Sequence, residues 1–194
     1  MKYAADIVLI PPLPIIEQIV KSNNEDFAKQ LIPVKLGFED YIPHLSLVMG
    51  VLDTANEKKV IDEINNIISF ITKIELAVAH TNNPWITISR TKELMELHAT
   101  LMEKVYAIFE REGTAEMYHR TDPGEIIDPS VLTWINEFDS KYSLDNFNPH
   151  ITSWTKSEEE RDQIPKTFIS STLALYHLGN YNTCRRFIHS WQLT

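Results

Sequence analysis

Two short segments carry the residues best suited to chemistry. The first reads Pro43-His44-Leu45-Ser46 and the second Pro149-His150-Ile151-Thr152. Both are proline, histidine, apolar residue, hydroxyl residue. An imidazole titrates near neutral pH, so it can give or take a proton under ordinary conditions. A hydroxyl can donate a hydrogen bond to a charged oxygen. In an extended strand, side chains at i and i+2 share a face. His44 and Ser46 therefore point one way while Leu45 and Leu47 turn to a core. His150 and Thr152 are cofacial in the same manner, with Ile151 inward. The proline before each histidine keeps the residue ahead of it extended.

A histidine two positions before a hydroxyl residue also occurs at His98-Ala99-Thr100 and His119-Arg120-Thr121. The first falls in a helical pattern, where i and i+2 diverge. The second sits in a loop. Neither has the proline or the strand context, so the complete pattern occurs twice, once in each half of the chain.

The elements that would position these segments can be read from periodicity. Residues 4–10 form a short apolar run ended by Pro11-Pro12, which reads as a buried strand. A helix starts at Pro14 with a stripe through Ile15, Ile16, Ile19, Val20, Phe27 and Leu31. Residues 44–52 read as a strand. Thr54 and Glu57 have capping-box spacing for a helix carrying Val60, Ile61, Ile64, Ile67, Ile68 and Ile71. Ile74 to His80 and Trp85 to Arg90 read as a hairpin. Thr91 caps a helix that runs to about residue 111. Residues 113–128 read as a long surface loop. Asp128-Pro129 opens a short helix with Trp134, Ile135 and Phe138. A strand begins near His150, Ser157 and Glu160 are placed to cap a short helix, and the acidic run 158–160 suits a helix N-terminus. Thr172 to Leu178 and Arg185 to Trp191 close the chain as a hairpin turning at Gly179-Asn180. The order is an α+β pattern.

Here the chain resembles the 2H phosphoesterase superfamily, which includes bacterial 2'-5' RNA ligase-like proteins and 2',3'-cyclic phosphodiesterases. The resemblance rests on the two motifs. It extends through the opening strand with Pro11-Pro12, through Lys141-Tyr142-Ser143 to Asn146-Phe147-Asn148, and through the closing hairpin. It implies one bilobal domain over residues 1–194: two pseudo-symmetric α+β lobes, each an antiparallel sheet with helices outside, around a central cleft. The family's catalytic histidines correspond to His44 and His150, and its phosphate-binding hydroxyls to Ser46 and Thr152. Many bacterial members carry a basic residue soon after the second motif; here Ser153 and Trp154 follow, with Lys156 the nearest cation. The activity implied is hydrolysis of 2',3'-cyclic phosphates on RNA ends or nucleotides. The resemblance also admits 2'-5' RNA ligation, ADP-ribose cyclic phosphate hydrolysis, or a nucleotide-binding module without turnover.

Trp154 is a candidate to stack a base. Tyr118 and Arg120 are candidate substrate contacts, because functional residues concentrate on long loops. Trp85 is weighed the same way, while Arg90, Arg185 and Arg186 read as solvated charges. Two histidines suffice for the acid–base scheme, so no cofactor or metal is expected. There is no HExxH, and one cysteine, Cys184, rules out cysteine-rich zinc sites. P-loop, GxGxxG and GxSxG motifs are absent too.

The net charge of −9 opposes binding to long nucleic acid, which depends on Lys and Arg neutralising phosphates. A small nucleotide or short RNA terminus is the expected partner. A start containing Asp6 and two prolines is unlike a signal peptide, and no apolar stretch is long enough to span a membrane. A cytoplasmic location is expected, consistent with the single cysteine.

Overall fold

The computed structural model describes residues 1–82, 84–155 and 163–193. The chain runs β1 (Lys2–Ile10), α1 (Leu13–Ala28), β2 (Leu45–Asp53), α2 (Glu57–Ile68), β3 (Ile74–Asn82), β4 (Trp85–Ile88), α3 (Lys92–Lys104), α4 (Pro129–Asn136), β5 (His150–Thr152), β6 (Thr167–Ser170), β7 (Thr172–Gly179) and β8 (Thr183–Gln192). The strands form one antiparallel sheet in the order β6-β3-β4-β5-β2-β1-β7-β8. The two motif strands meet at its centre. β2 leads into a half made with β1, β7 and β8, and β5 into a half made with β3, β4 and β6. The α+β class is as the order of elements implies, and the pairing of two antiparallel halves is as the family resemblance implies.

The central strand β1 is apolar because both its faces are covered: Ala4, Ala5, Ile7, Val8 and Leu9 are almost wholly buried. Asp6 is buried among them at 0% exposure. Leu45, Leu47 and Ile151 are likewise fully buried, so the alternation read from the motifs holds. α3 packs behind β2 through His98. Its Nδ1 lies 2.9 Å from the Leu47 carbonyl, and its Nε2 accepts the Leu144 N–H at 2.8 Å. The ring stacks on Phe147 with centroids 3.8 Å apart. The helical triplet His98-Ala99-Thr100 is thus a structural strut between β2, which begins just after His44, and the segment leading to His150. α1 is tied in through buried Asn23, whose amide donates to the Val34 and Ser153 carbonyls and whose oxygen accepts from Leu36 N–H.

Several local expectations change. α1 ends at Ala28, so Leu31 lies beyond it, and both Leu31 and Phe27, in the last turn, are exposed instead of continuing its stripe. Thr54 does not cap α2; it opens a 3-10 turn, Thr54–Asn56, capped by Asp53 accepting from Ala55 N–H at 3.0 Å. Residues 113–128 are pinned to the body: His119 N–H donates to the Leu178 carbonyl, and a 3-10 turn spans Ala115–Met117. β6, four residues long, was not expected. The caps at Thr91 and Asp128 are present, accepting from Leu94 N–H and Ser130 N–H. Ser157, Glu160, the acidic run 158–160 and Lys156 lie outside the described residues.

Candidate active site

β2 and β5 touch through one pair, Leu45 opposite Ile151. Carrying that antiparallel register one residue each way sets His44 against Thr152 and Ser46 against His150. Because side chains alternate, all four polar groups fall on one face while Leu45 and Ile151 fill the other. The four line a single cleft of about 380 Å³.

Each histidine is held identically. His44 Nδ1 lies 2.7 Å from the Ile42 carbonyl, and His150 Nδ1 lies 2.7 Å from the Asn148 carbonyl, two residues back across the proline in each case. A carbonyl only accepts, so Nδ1 must carry the hydrogen. Nε2 is left as the working nitrogen on both rings: a base when bare, an acid when protonated. Burial pushes the His44 pKa down to about 4, against the opposing hydrogen bond to Ile42 and with a smaller contribution from His150 nearby. Burial also lowers His150, opposed by its bond to Asn148. In the free protein at neutral pH both rings are neutral.

Asp6 reaches the site from β1. Its Oδ2 lies 2.6 Å from Ser46 Oγ and 3.9 Å from His44 Nε2. The second distance is too long for a hydrogen bond. Burial raises the Asp6 pKa well above that of an ordinary carboxyl, with the Ser46 bond acting the other way. Burial thus favours the neutral form on both sides, and we read Asp6 and His44 as neutral neighbours, not an ion pair.

The cleft walls are aromatic. Trp85 lies against His150 with ring centroids 4.9 Å apart. Trp134 and Tyr142 stack at 4.1 Å, and Trp154 meets Tyr181 edge-on at 6.0 Å. Trp154 is turned by a left-handed backbone, φ 50°, after Ser153 and Trp154 N–H both reach the Pro84 carbonyl. Among the described lining residues none is Lys, Arg, Asp or Glu. Nor do any three His, Cys, Asp or Glu side chains group as metal ligands among the described residues.

Of the residues read from the sequence, His44, Ser46, His150, Thr152, Trp154 and Trp85 come together here. Tyr118 and Arg120 do not. The Tyr118 ring is buried and its hydroxyl lies 3.1 Å from both the Val131 carbonyl and Asn182 Oδ1, supporting the cleft wall from behind. Arg120 donates to the Ala115 and Glu125 carbonyls and so closes its own loop. Arg120 is thus occupied by carbonyls of its own loop, and Tyr118 by an α4 carbonyl and the Asn182 side chain. Arg185 also departs from expectation: it is buried, donates to Glu125 at 2.9 Å and lies 3.6 Å over the ring of Tyr41. Arg90 donates to the Leu144 and Asp145 carbonyls. Asp6, Trp134, Tyr142 and Tyr181 were missed as site residues. Only Asp6 carried a signal, an acidic residue inside an otherwise apolar strand.

No protein-family model matches the sequence, and no curated protein matches it. Solved structures do. E. coli LigT crystallised with 3'-AMP is 15% identical over 100% of this chain and 99% of its own, with a TM-score of 0.54. E. coli LigT crystallised with NADP+ is 15% identical over the same shares, with a TM-score of 0.53. A protein described as a phosphoesterase is 15% identical over 99% of each chain, with a TM-score of 0.52. The chain therefore has the fold of E. coli LigT along its whole length. Among the described residues no helix is long and apolar enough to cross a membrane.

Proposed function

We propose that this chain is a 2H phosphoesterase that hydrolyses 2',3'-cyclic phosphates of nucleotides or short RNA ends without a metal. The observation that carries this reading is the matched pair: two imidazoles with the same Nδ1–carbonyl anchor, each beside a hydroxyl, in one cleft. The shared fold with LigT and a phosphoesterase supports it.

In the reaction, one neutral imidazole accepts a proton at Nε2 from water as the water oxygen bonds to phosphorus. The other, protonated at Nε2, gives its proton to the ribose oxygen as the phosphorus–oxygen bond to it breaks. One ring ends protonated and the other neutral, so the pair resets by exchanging one proton with solvent. Both rings start neutral, and the substrate itself helps charge one of them: an anion brought close favours the imidazolium. In this reading Ser46 and Thr152 donate to the non-bridging oxygens, where charge grows in the transition state. Trp154 and Trp85 offer faces for a base. An uncharged, aromatic cleft suits a singly charged ligand better than a polyanion.

The test is turnover. Purified protein in EDTA, given a 2',3'-cyclic mononucleotide, should yield the monophosphate, and His44→Ala and His150→Ala should each abolish the product. A wild type that binds nucleotide yet turns over none of several cyclic phosphates would replace this reading with a binding module.

A further inference from the structure

Hydrogen-bond accounting at Ser46 exposes a conflict that Asp6 resolves. A serine hydroxyl has one proton. Drawn with an ionised Asp6, Ser46 Oγ donates that proton to Oδ2 at 2.6 Å and has none left for a phosphate. The anion would also sit directly beneath the group meant to hold a second anion. Asp6 is poorly equipped to be an anion in any case. It is 0% exposed, and among the described residues Oδ1 has no hydrogen-bond partner and Oδ2 has Ser46 alone. A buried carboxylate persists when several donors or a close cation compensate it. The groups around it supply neither. His44, just before β2, faces it at 3.9 Å. Tyr118 and Cys184 are near enough for its charge to act on them, and neither carries a positive charge. Tyr176 and Met49 flank it in the sheet register.

We propose that Asp6 is a positioning residue working as a neutral carboxylic acid: its O–H donates to Ser46 Oγ, which turns the Ser46 proton toward the cleft to meet the phosphate. The proton on Asp6 neither leaves nor moves to substrate during the reaction. Asp6 sets the direction of one hydroxyl and keeps negative charge out of the phosphate subsite. This rests on the cyclic phosphodiesterase reading for its consequence in turnover, but the protonation state can be measured without it.

Asp6→Asn is the discriminating variant, because an amide is neutral, has the same shape and can donate to Ser46 as the acid does. It should keep kcat/KM within about threefold of wild type, whereas Asp6→Ala should lose roughly tenfold, the equivalent of one neutral hydrogen bond. The infrared difference spectrum between wild type and Asp6→Asn at neutral pH should contain the C=O stretch of a protonated carboxyl. The proposal is overturned if Asp6→Asn, folded and still binding product, loses a hundredfold or more, because Asp6 would then be needed as an anion. It is also overturned if that infrared band is missing. An inactive wild type that shows the band would sink the enzymatic reading and leave the state of Asp6 established.

Discussion

His98 offers a sharp test of how the two halves of the site are held in register. Its Nδ1 must donate to the Leu47 carbonyl, and its Nε2 must accept from Leu144 N–H, so only the neutral ring satisfies both. Burial accordingly lowers its pKa from 6.5 to about 4. In the unfolded chain the ring protonates near 6.5, so below that pH the unfolded state binds the extra proton and gains. The stability this residue gives is whole above pH 6.5 and is lost as pH falls toward 4. At about 1.4 kcal/mol per pH unit, the loss between about pH 7.5 and about pH 5 comes to about 2 kcal/mol. Other buried groups titrate in the same window: His44 and His177 act in the same direction, while the raised pKa of Asp6 acts oppositely. The comparison must therefore be differential. Gln at position 98 has both a donor and an acceptor and does not titrate. Urea unfolding followed by tryptophan fluorescence, for wild type and His98→Gln at both pH values, should find the wild type losing about 2 kcal/mol more than the variant on acidification. Parallel losses would refute the strut.

Thr152→Val, which keeps shape and removes the hydroxyl, should lower kcat roughly a hundredfold with KM little changed, as expected for a transition-state donor; single-turnover kinetics on a cyclic nucleotide checks it. Trp154→Leu should raise KM about tenfold for a nucleoside cyclic phosphate and far less for one lacking a base, because one base–aromatic stack is removed. The alkaline limb of kcat/KM should lie at lower pH than that of kcat. The first reports free imidazoles whose pKa values burial has lowered, and the second reports rings whose acid form the bound anion favours. Coincident limbs would contradict this. Gly179→Ala would put a methyl group into the side chain of Arg185. It should cost about 1–3 kcal/mol by denaturant unfolding.

The motifs were legible because strand alternation is a strict rule: a histidine and a hydroxyl two apart, with an apolar residue between them, can serve a cleft and a core at once. What brings them together was not. The contact between β2 and β5 is one residue pair, too short to leave any periodic trace. β6, four residues long, leaves little trace for the same reason. Asp6 is an acidic residue inside an otherwise apolar strand, but its relation to Ser46 depends on β1 lying beside β2, a long-range pairing. Arg185 reads as solvated because charge on a strand defaults to solvent, but Glu125 and the face of Tyr41, both distant in sequence, compensate it in the interior. Position in a long loop makes Tyr118 and Arg120 read as substrate contacts, yet Arg120 binds carbonyls of its own loop and Tyr118 ties that loop to α4 and Asn182. The wall formed by Trp134 and Tyr142 depends on a single π-helical turn, Phe138–Tyr142, which simple periodicity does not reveal.

The central claim is that two imidazoles, each with hydrogen on Nδ1 and each neutral in the free protein, turn Nε2 toward one phosphate, whose charge favours the imidazolium form of one of them. Long-range proton–nitrogen NMR of the imidazole rings at neutral pH, with and without a nucleoside 3'-monophosphate, measures this directly. Both His44 and His150 should have an unprotonated Nε2 in the free protein, and both should shift on adding the nucleotide, with at least one pKa rising. A proton on Nε2 of either free ring, or a ring that ignores the ligand, would contradict the account.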